Sequence, residues 1–431
     1  MILSGTMQIN SKQHLEIGGC DTVALAEEFG TPLFIMDEEQ MRKNCRRYLQ
    51  AMQENYPRGK IIYAGKAFLV LAMASLIKEE GLGLDVVSGG ELYTALKAGF
   101  PPEHIFFHGN NKSRTELSEA LKAKVGTIIV DSLSELKELL ELSRGREQKV
   151  PIYLRIKPGI DTHTHDYIQT GQDDSKFGLG FSKAIGAVRL VLSAAPYLDL
   201  KGFHCHIGSQ IFQLEPFRLA ARAMVGFMAE VRSETGYVAP ELDLGGGLGI
   251  RYLKNDDPPS IEKFVQVITA AVKETAKRED FPLPKLLLEP GRSISGEAGI
   301  TLYRVGVIKD IPGGRSFASI DGGMTDNIRP ALYQAGYEAM VANKALQQPT
   351  KKVTVAGKAC ESGDLLIKDI YLPPLQKNDL LAVFSTGAYC YSMASNYNRN
   401  PRPAVIFVNN GKARVVVRRE SYDDLIGLDV L

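Results

Sequence analysis

KIIYAGKAFLVLAMASLIKEEGLGLDVV (60–87) holds the pattern that decides the fold. Its opening run, KIIYAG (60–65), has the continuous hydrophobicity of a strand buried on both faces. AFLVLAMASLIKEE (67–80) then reads as a helix that stops at Gly81, because glycine just past a helix end takes the left-handed conformation at no steric cost. LGLDVV (82–87) is a second buried run. Strand, helix and strand in so short a span make the repeating unit of a parallel sheet. One residue is out of place: Lys66 ends an apolar run expected to lie in the interior, and lysine is rarely buried unless paired or chemically employed.

The rhythm continues in both directions. HIFFHG (104–109), TIIVD (127–131), PIYLRIK (151–157), LKGFHCHI (200–207), ELDLGG (241–246) and KLLLEP (285–290) bring the strands to eight. Between them, SGGELYTALKA (88–98) stops at Gly99, KSRTELSEALKAKV (112–125) at Gly126 and SLSELKELLELSR (132–144) at Gly145. Ser88 with Glu91, and Ser132 with Glu135, have the spacing of a capping box. Eight such units across 36–290 match the roughly 250 residues of a (β/α)8 barrel. An open doubly wound sheet could show the same alternation; the count of eight, and the position of the unusual residues at strand ends, favour the barrel.

After residue 300 the texture changes. KKVTVAG (351–357), DLLIKDIYL (364–372), DLLAVFS (379–385) and AVIFVNNGKARVVVRR (404–419) are β-branched, the last carrying an Asn-Gly hairpin signal. Residues 291–431, joined by 1–35, are expected to form a β-rich domain, barrel-like or sandwich-like, that contributes substrate and dimer contacts. KNDDPPS (254–260) reads as a surface loop and HTHDY (163–167) as a loop rather than a ligand cluster.

Composition narrows the function classes. With 51 basic and 50 acidic side chains the net charge is +1, which recommends neither nucleic acid nor an anionic membrane as partner. Cysteines 20, 45, 205, 360 and 390 are odd in number, scattered and without a CxxC pair, so no disulfide framework or zinc knuckle is implied. No signal-like start or run of about 20 apolar residues is present. A cytoplasmic enzyme is the expectation.

In a barrel of this type reactive residues gather at the C-terminal ends of the strands. There stand Lys66, SGGE (88–91), His204 and His206, GGGLG (245–249) and EPGR (289–292). Glycine-rich loops after strands seven and eight commonly hold a phosphate, main-chain N–H groups approaching the anion and a following helix adding its dipole. A phosphate anchor, a lysine and a carboxylate on one rim suggest pyridoxal phosphate: Lys66 for the Schiff base, Glu289 for the pyridinium nitrogen and His206 against the ring. HCH (204–206) also reads as two imidazoles on one strand face, the start of a metal site. No histidine follows residue 206, which disfavours a histidine-rich metal centre.

YAGKA, VVSGGEL, HCHIGSQ, LDLGGGLG, EPGRS, IRPALY (328–333), CESGD (360–364) and GAYCYSMASNYN (387–398) together resemble the fold type III pyridoxal-phosphate decarboxylases. The resemblance is strongest to the branch that converts meso-2,6-diaminopimelate to L-lysine and CO2. It implies pyridoxal 5′-phosphate as cofactor, with Lys66 attached to it, His206 stacked on it and Glu289 at its ring nitrogen. Ser209, Gly246, Gly247, Pro290, Gly291, Arg292 and Tyr389 would hold the phosphate. Arg292, Arg329 and Tyr333 would grip the substrate's distal carboxylate, with Tyr389 beside them. Cys360 would donate the proton and Glu361 would meet the distal amino group, both from the partner subunit of a homodimer. Phe68, where many members carry asparagine, and DGGMTDN (321–327), where others read DAGMND, depart from the pattern without touching these positions. Other decarboxylases of this fold, for arginine, ornithine or carboxynorspermidine, are the alternatives; a non-catalytic regulator would be expected to lose Lys66 or the glycines.

Overall fold

Every run expected to be a buried strand is one. In the computed structural model, which describes residues 3–160, 176–194 and 196–431, eight parallel strands close into a barrel. They are Lys60–Ala64, Gly83–Val86, Ile105–Phe107, Thr127–Val130, Val150–Arg155, Leu198–His204, Glu241–Asp243 and Lys285–Leu288. Closure comes from the eighth pairing with the first, Leu287 with Lys60 and Leu288 with Ile61. The open doubly wound alternative is thereby excluded. Ile62, Phe106, Ile129, Tyr153 and Leu287 meet as one buried cluster. Burial of each such side chain contributes about 1.5–3 kcal/mol.

The helix signals translate with differences: the helix expected over 67–80 spans Leu71–Glu79, and Lys124 (φ 57°), not Gly126, takes the left-handed conformation after the helix Arg114–Ala123. Ser88 and Ser132 accept from the N–H of Glu91 and Glu135 as N-caps should. The return bond reaches one residue further back than a capping box does: Glu91 accepts from Val87 N–H at 2.7 Å and Glu135 from Asp131 N–H at 3.2 Å. Ser113 with Glu116 forms the complete box.

By its contacts the chain divides into two compact units, Cys45–Gly249 with Pro258–Gly291, and Met1–Asn44 with Ile250–Asp257 and Arg292–Leu431. The first contains the barrel. The second is built on a nine-stranded sheet whose longest member, Gly299–Asp310, pairs with Leu33–Asp37, Ser316–Ile320 and Leu380–Val383. Leu33–Asp37 is buried along its whole length and lies between Gly299–Asp310 and Ala404–Asn409. The start of the chain thus supplies a central strand to this sheet, together with a separate three-stranded sheet, Gln8–Ile9, Leu15–Ile17 and Cys20–Asp21. The Asn-Gly signal is a hairpin between Ala404–Asn409 and Lys412–Val417, with both Asn410 (φ 48°) and Gly411 (φ 72°) left-handed, as a tight two-residue turn requires.

Among the described residues no helix is long and apolar enough to cross a membrane. All five cysteines are free, and only Cys360 is exposed. HTHDY (163–167) lies outside the described residues.

Candidate active site

The barrel unit gathers its charges around Glu289, which follows the eighth strand and is only 6% exposed. His108 Nε2 lies 2.7 Å from Glu289 Oε1 and His204 Nε2 lies 3.2 Å from Oε2. The two imidazoles pack edge to face, ring centres 4.8 Å apart. Asp85 Oδ1 is 3.9 Å from His108 Nε2, and Asp243, fully buried, accepts the Gly245 N–H at 2.9 Å.

Burial alone would push Glu289 up, but the two histidines more than offset it and hold the carboxyl well below its usual range. Burial, reinforced by the charge of Glu289, drives Asp243 well above its own range. Burial likewise raises Asp85 to about 6 and lowers His204 to about 4. At neutral pH the centre therefore holds Glu289 as an anion and His204 as a neutral imidazole, with Asp243 pushed toward its protonated form.

Side chains of His108, His204 and Glu289 could also be read as metal ligands, their donor atoms lying within 4.8 Å of one another. Two ligands about 2.0–2.1 Å from a tetrahedral zinc stand roughly 3.3 Å apart. The 2.7 Å between His108 and Glu289 is well short of that. The two histidines of HCH also part company: the strand ends at His204, and His206 in the loop beyond it turns its Nδ1 to the Gly246 N–H at 3.4 Å. Accepting that bond places the single ring proton of His206 on Nε2. Burial, then the charge of Lys66, keeps His206 well below the usual histidine range.

The glycine loop is stitched to the segment after His206. Ile211 N–H donates to Gly247 O and Gly249 N–H to Ile211 O, each at 3.0 Å. Gly247 has φ +121°, and a Cβ there would stand 2.5 Å from Gly208 O, so only glycine lets these two backbones, with Ser209 beside them, come so close. The expected helix dipole is missing. After the glycines the next helix starts at Ile261, and after EPG only the single turn Arg292–Ser295 forms. Any anion held here relies on main-chain N–H groups and side chains.

Lys66 corrects the expectation of an interior lysine. The strand stops at Ala64, and Lys66 sits exposed on the one-turn helix Gly65–Ala67 between two buried neighbours. Its charge still acts on Asp85, Glu91 and His206. Glu91 is raised to about 7 by burial. Arg155, at the end of the fifth strand, is 3.5 Å from Asp131 and stacks on Phe177 at 4.4 Å, while Gly178 N–H binds Asp131 at 2.9 Å. This anchors KFG (176–178); residues 161–175 lie outside the described set.

The second unit has its own cluster. Arg329, first residue of the short helix Arg329–Tyr333, is 9% exposed and donates through Nε to Tyr337 OH at 3.0 Å. The rings of Tyr252, Tyr333 and Tyr389 lie 5.5–5.7 Å from its guanidinium. Arg292 lies over Tyr389 at 4.6 Å and donates to Tyr252 OH. Among the described residues Arg329 forms no ion pair. Tyr389 has φ +62°, a left-handed conformation that tyrosine adopts at a cost of about 1–3 kcal/mol, and this turns its ring onto both arginines. Burial raises the Cys390 thiol, 3.5 Å from Tyr337 OH, to about 11.

Cys360, Glu361 and Tyr333 are exposed. Their loop is nonetheless fixed: Cys360 N–H binds Asn398 Oδ1 at 2.7 Å, and Asp364 accepts from Met324 and Ala359 N–H at 2.7 and 2.9 Å. Sequence reasoning missed Asp85, His108, Arg155 and Asp243 in the barrel, and Tyr252 and Tyr337 in the second unit. A strand-end position was the available signal for the first four; the two tyrosines lie in loops and had none.

The family model described as "Pyridoxal-dependent decarboxylase, pyridoxal binding domain" matches residues 42–296. Diaminopimelate decarboxylase of Bacillus subtilis is 51% identical over 432 residues, covering 100% of this chain and 98% of the relative. That of Staphylococcus aureus is 46% identical, covering 98% and 99%. Among solved structures, diaminopimelate decarboxylase from M. jannaschii in complex with L-lysine superposes with a TM-score of 0.93 at 35% identity, covering 100% of this chain and 99% of that one. Lysine/ornithine decarboxylase from Vibrio vulnificus, at 22% identity, a TM-score of 0.76 and 90% and 97% coverage, shares the fold.

Proposed function

Since this chain belongs to the diaminopimelate decarboxylase family of pyridoxal-dependent decarboxylases, we propose that its two clusters divide the work of one reaction. The protein is a carboxy-lyase that releases CO2 from meso-2,6-diaminopimelate and leaves L-lysine, the last step of lysine biosynthesis. The barrel cluster serves the cofactor and the arginine–tyrosine cluster recognises the substrate.

The donor set fits pyridoxal 5′-phosphate: an exposed lysine amine, a neutral flat imidazole at His206, a buried anionic carboxylate at Glu289 and a glycine loop closed to any Cβ. Lys66, His206 and Glu289 would hold its ring, and Ser209, Gly246, Gly247, Pro290, Gly291, Arg292 and Tyr389 its phosphate. When bound, the cofactor supplies an electron sink for the electron pair that the departing CO2 leaves behind. Glu289, ionised, holds a proton at the ring nitrogen. Lys66 carries protons to and from the substrate amine. Arg329 and Arg292, with Tyr333 and Tyr389, bind the carboxylate that is kept. Cys360 of the partner subunit protonates the α-carbon, and Glu361 of the partner subunit meets the distal ammonium group; both residues stand exposed in the single chain, as a shared site needs.

Arg329 carries the choice of substrate. A guanidinium buried among tyrosines, with no ion pair to a protein acid among the described residues, calls for an anionic ligand. Ornithine and arginine offer no second carboxylate. Purified protein with pyridoxal 5′-phosphate should release CO2 from diaminopimelate and leave ornithine and arginine untouched; release from either of those instead would overturn the assignment of Arg329.

A further inference from the structure

Resting on the reading that Glu289 meets the cofactor ring, we propose that His108 and His204 are positioning residues for it: their Nε2 atoms stand against the two oxygens of the Glu289 carboxylate, one on each, and hold it in a single orientation. The distances are 2.7 and 3.2 Å, and all three side chains are buried; the His204 contact is a hydrogen bond, whereas His108 meets its oxygen at ion-pair distance without hydrogen-bond alignment. His204 Nδ1 is itself buried with no hydrogen-bond partner. The one proton of a neutral ring therefore belongs on Nε2, where a carboxylate accepts it; a second on Nδ1 would be a buried, unsatisfied donor. Edge-to-face packing at 4.8 Å fixes the tilt of each imidazole against the other.

A carboxylate offers about four acceptor directions. His204 takes one on Oε2 and His108 stands beside Oε1, which leaves room for a donor on the ligand. Apart from the two histidines, the groups acting on this centre are Lys66, Asp85, Arg155, His206 and Asp243, one or more from each of strands one, two, five, six and seven. If the histidines only filled space, two buried imidazoles would be a costly choice beside leucine.

The test uses apoprotein titrated with pyridoxal 5′-phosphate, alongside steady-state kinetics. His108→Leu and His204→Leu should each weaken cofactor binding and lower kcat by about tenfold or more, with KM for diaminopimelate unchanged. His108→Gln and His204→Gln, which place an amide N–H near Nε2, should recover most of both. In a Glu289→Gln background the leucine changes should add nothing, because the clamp has lost its charged acceptor. Glutamine variants as impaired as leucine variants, or leucine effects that persist in the Glu289→Gln background, would show a packing role and overturn the proposal. Leucine variants that bind and turn over normally while Glu289→Gln is impaired overturn the clamp alone. A Glu289→Gln variant indistinguishable from wild type overturns the reading of Glu289, and the clamp with it. Circular dichroism establishes that each variant folds. Should His204→Leu not fold, His204→Asn, whose amide falls short of Glu289, replaces it with the same expectation.

Discussion

The barrel cluster and the arginine–tyrosine cluster both bury charge, and they settle it in opposite ways. Around Glu289 the charge is answered from within: two imidazoles face one carboxylate and a neighbouring aspartate is pushed toward its protonated form. Around Arg329 no acid among the described residues answers; the guanidinium rests on phenol rings and one Tyr337 hydroxyl. Cation–π contacts give about 0.5–2 kcal/mol each, less than a buried charge costs when left alone. A centre whose carboxylate is already met by groups of the protein suits a task that is the same in every turnover. A centre with positive charge in excess suits a ligand that arrives with the missing anion.

If that division is right, the largest losses come from residues of the reaction itself. Lys66→Ala should give no measurable lysine and lose the visible band of covalently attached cofactor; a surviving band would remove Lys66 from its role. Cys360→Ala should lower kcat by about 10²–10⁴-fold, the usual weight of a proton donor, and leave cofactor binding intact; unaltered turnover would rule out the thiol. Mixing these two inactive proteins and allowing subunits to exchange should restore about a quarter of the wild-type sites, since half of the dimers are mixed and each carries one intact site. No recovery, with exchange shown by mass spectrometry, would place Cys360 in the same subunit as its Lys66.

A smaller effect separates the barrel's electrostatics from its packing. Glu91 has a folded pKa of about 7, above the roughly 4.3 of an unfolded glutamate. The native state therefore keeps its proton longer than the unfolded chain does, and stability falls as pH rises through 7. Glu91→Gln should match wild type near pH 4 and melt about 2–4 °C higher at pH 8; an equal shift at both pH values would mean packing rather than charge. Smallest of all, Gly411→Ala in the hairpin of the second unit should cost about 1 kcal/mol with kinetics unchanged, which separates loss of stability from loss of either cluster.

Much of this was legible in the sequence because barrel strands are buried on both faces, so KIIYAG or KLLLEP reads as a continuous apolar run whatever surrounds it. The catalytic candidates were legible because the barrel puts chemistry at strand ends. Pairings between distant segments were not. Leu33–Asp37 is as apolar as a barrel strand, yet its neighbours are Gly299–Asp310 and Ala404–Asn409, which no local pattern reveals. His108 and Glu289 meet only once the barrel closes. Tyr252 sits in a segment that looks like surface loop, and its place under Arg292 and Arg329 depends on the second unit's fold. The interior lysine was misjudged for a local reason: the strand ended one residue early, and Lys66 left it on a helical turn.

The most direct measurement compares kcat/KM for diaminopimelate with that for an analogue in which hydrogen replaces the distal carboxylate, in wild type and in Arg329→Leu. The wild type should prefer diaminopimelate by about 10³-fold or more, because the analogue leaves buried polar groups unpaired. Arg329→Leu should lose about a hundredfold on diaminopimelate alone, with pyridoxal 5′-phosphate affinity unchanged. Equal losses on both substrates, or discrimination that survives the substitution, would contradict the assignment of substrate recognition to the uncompensated arginine.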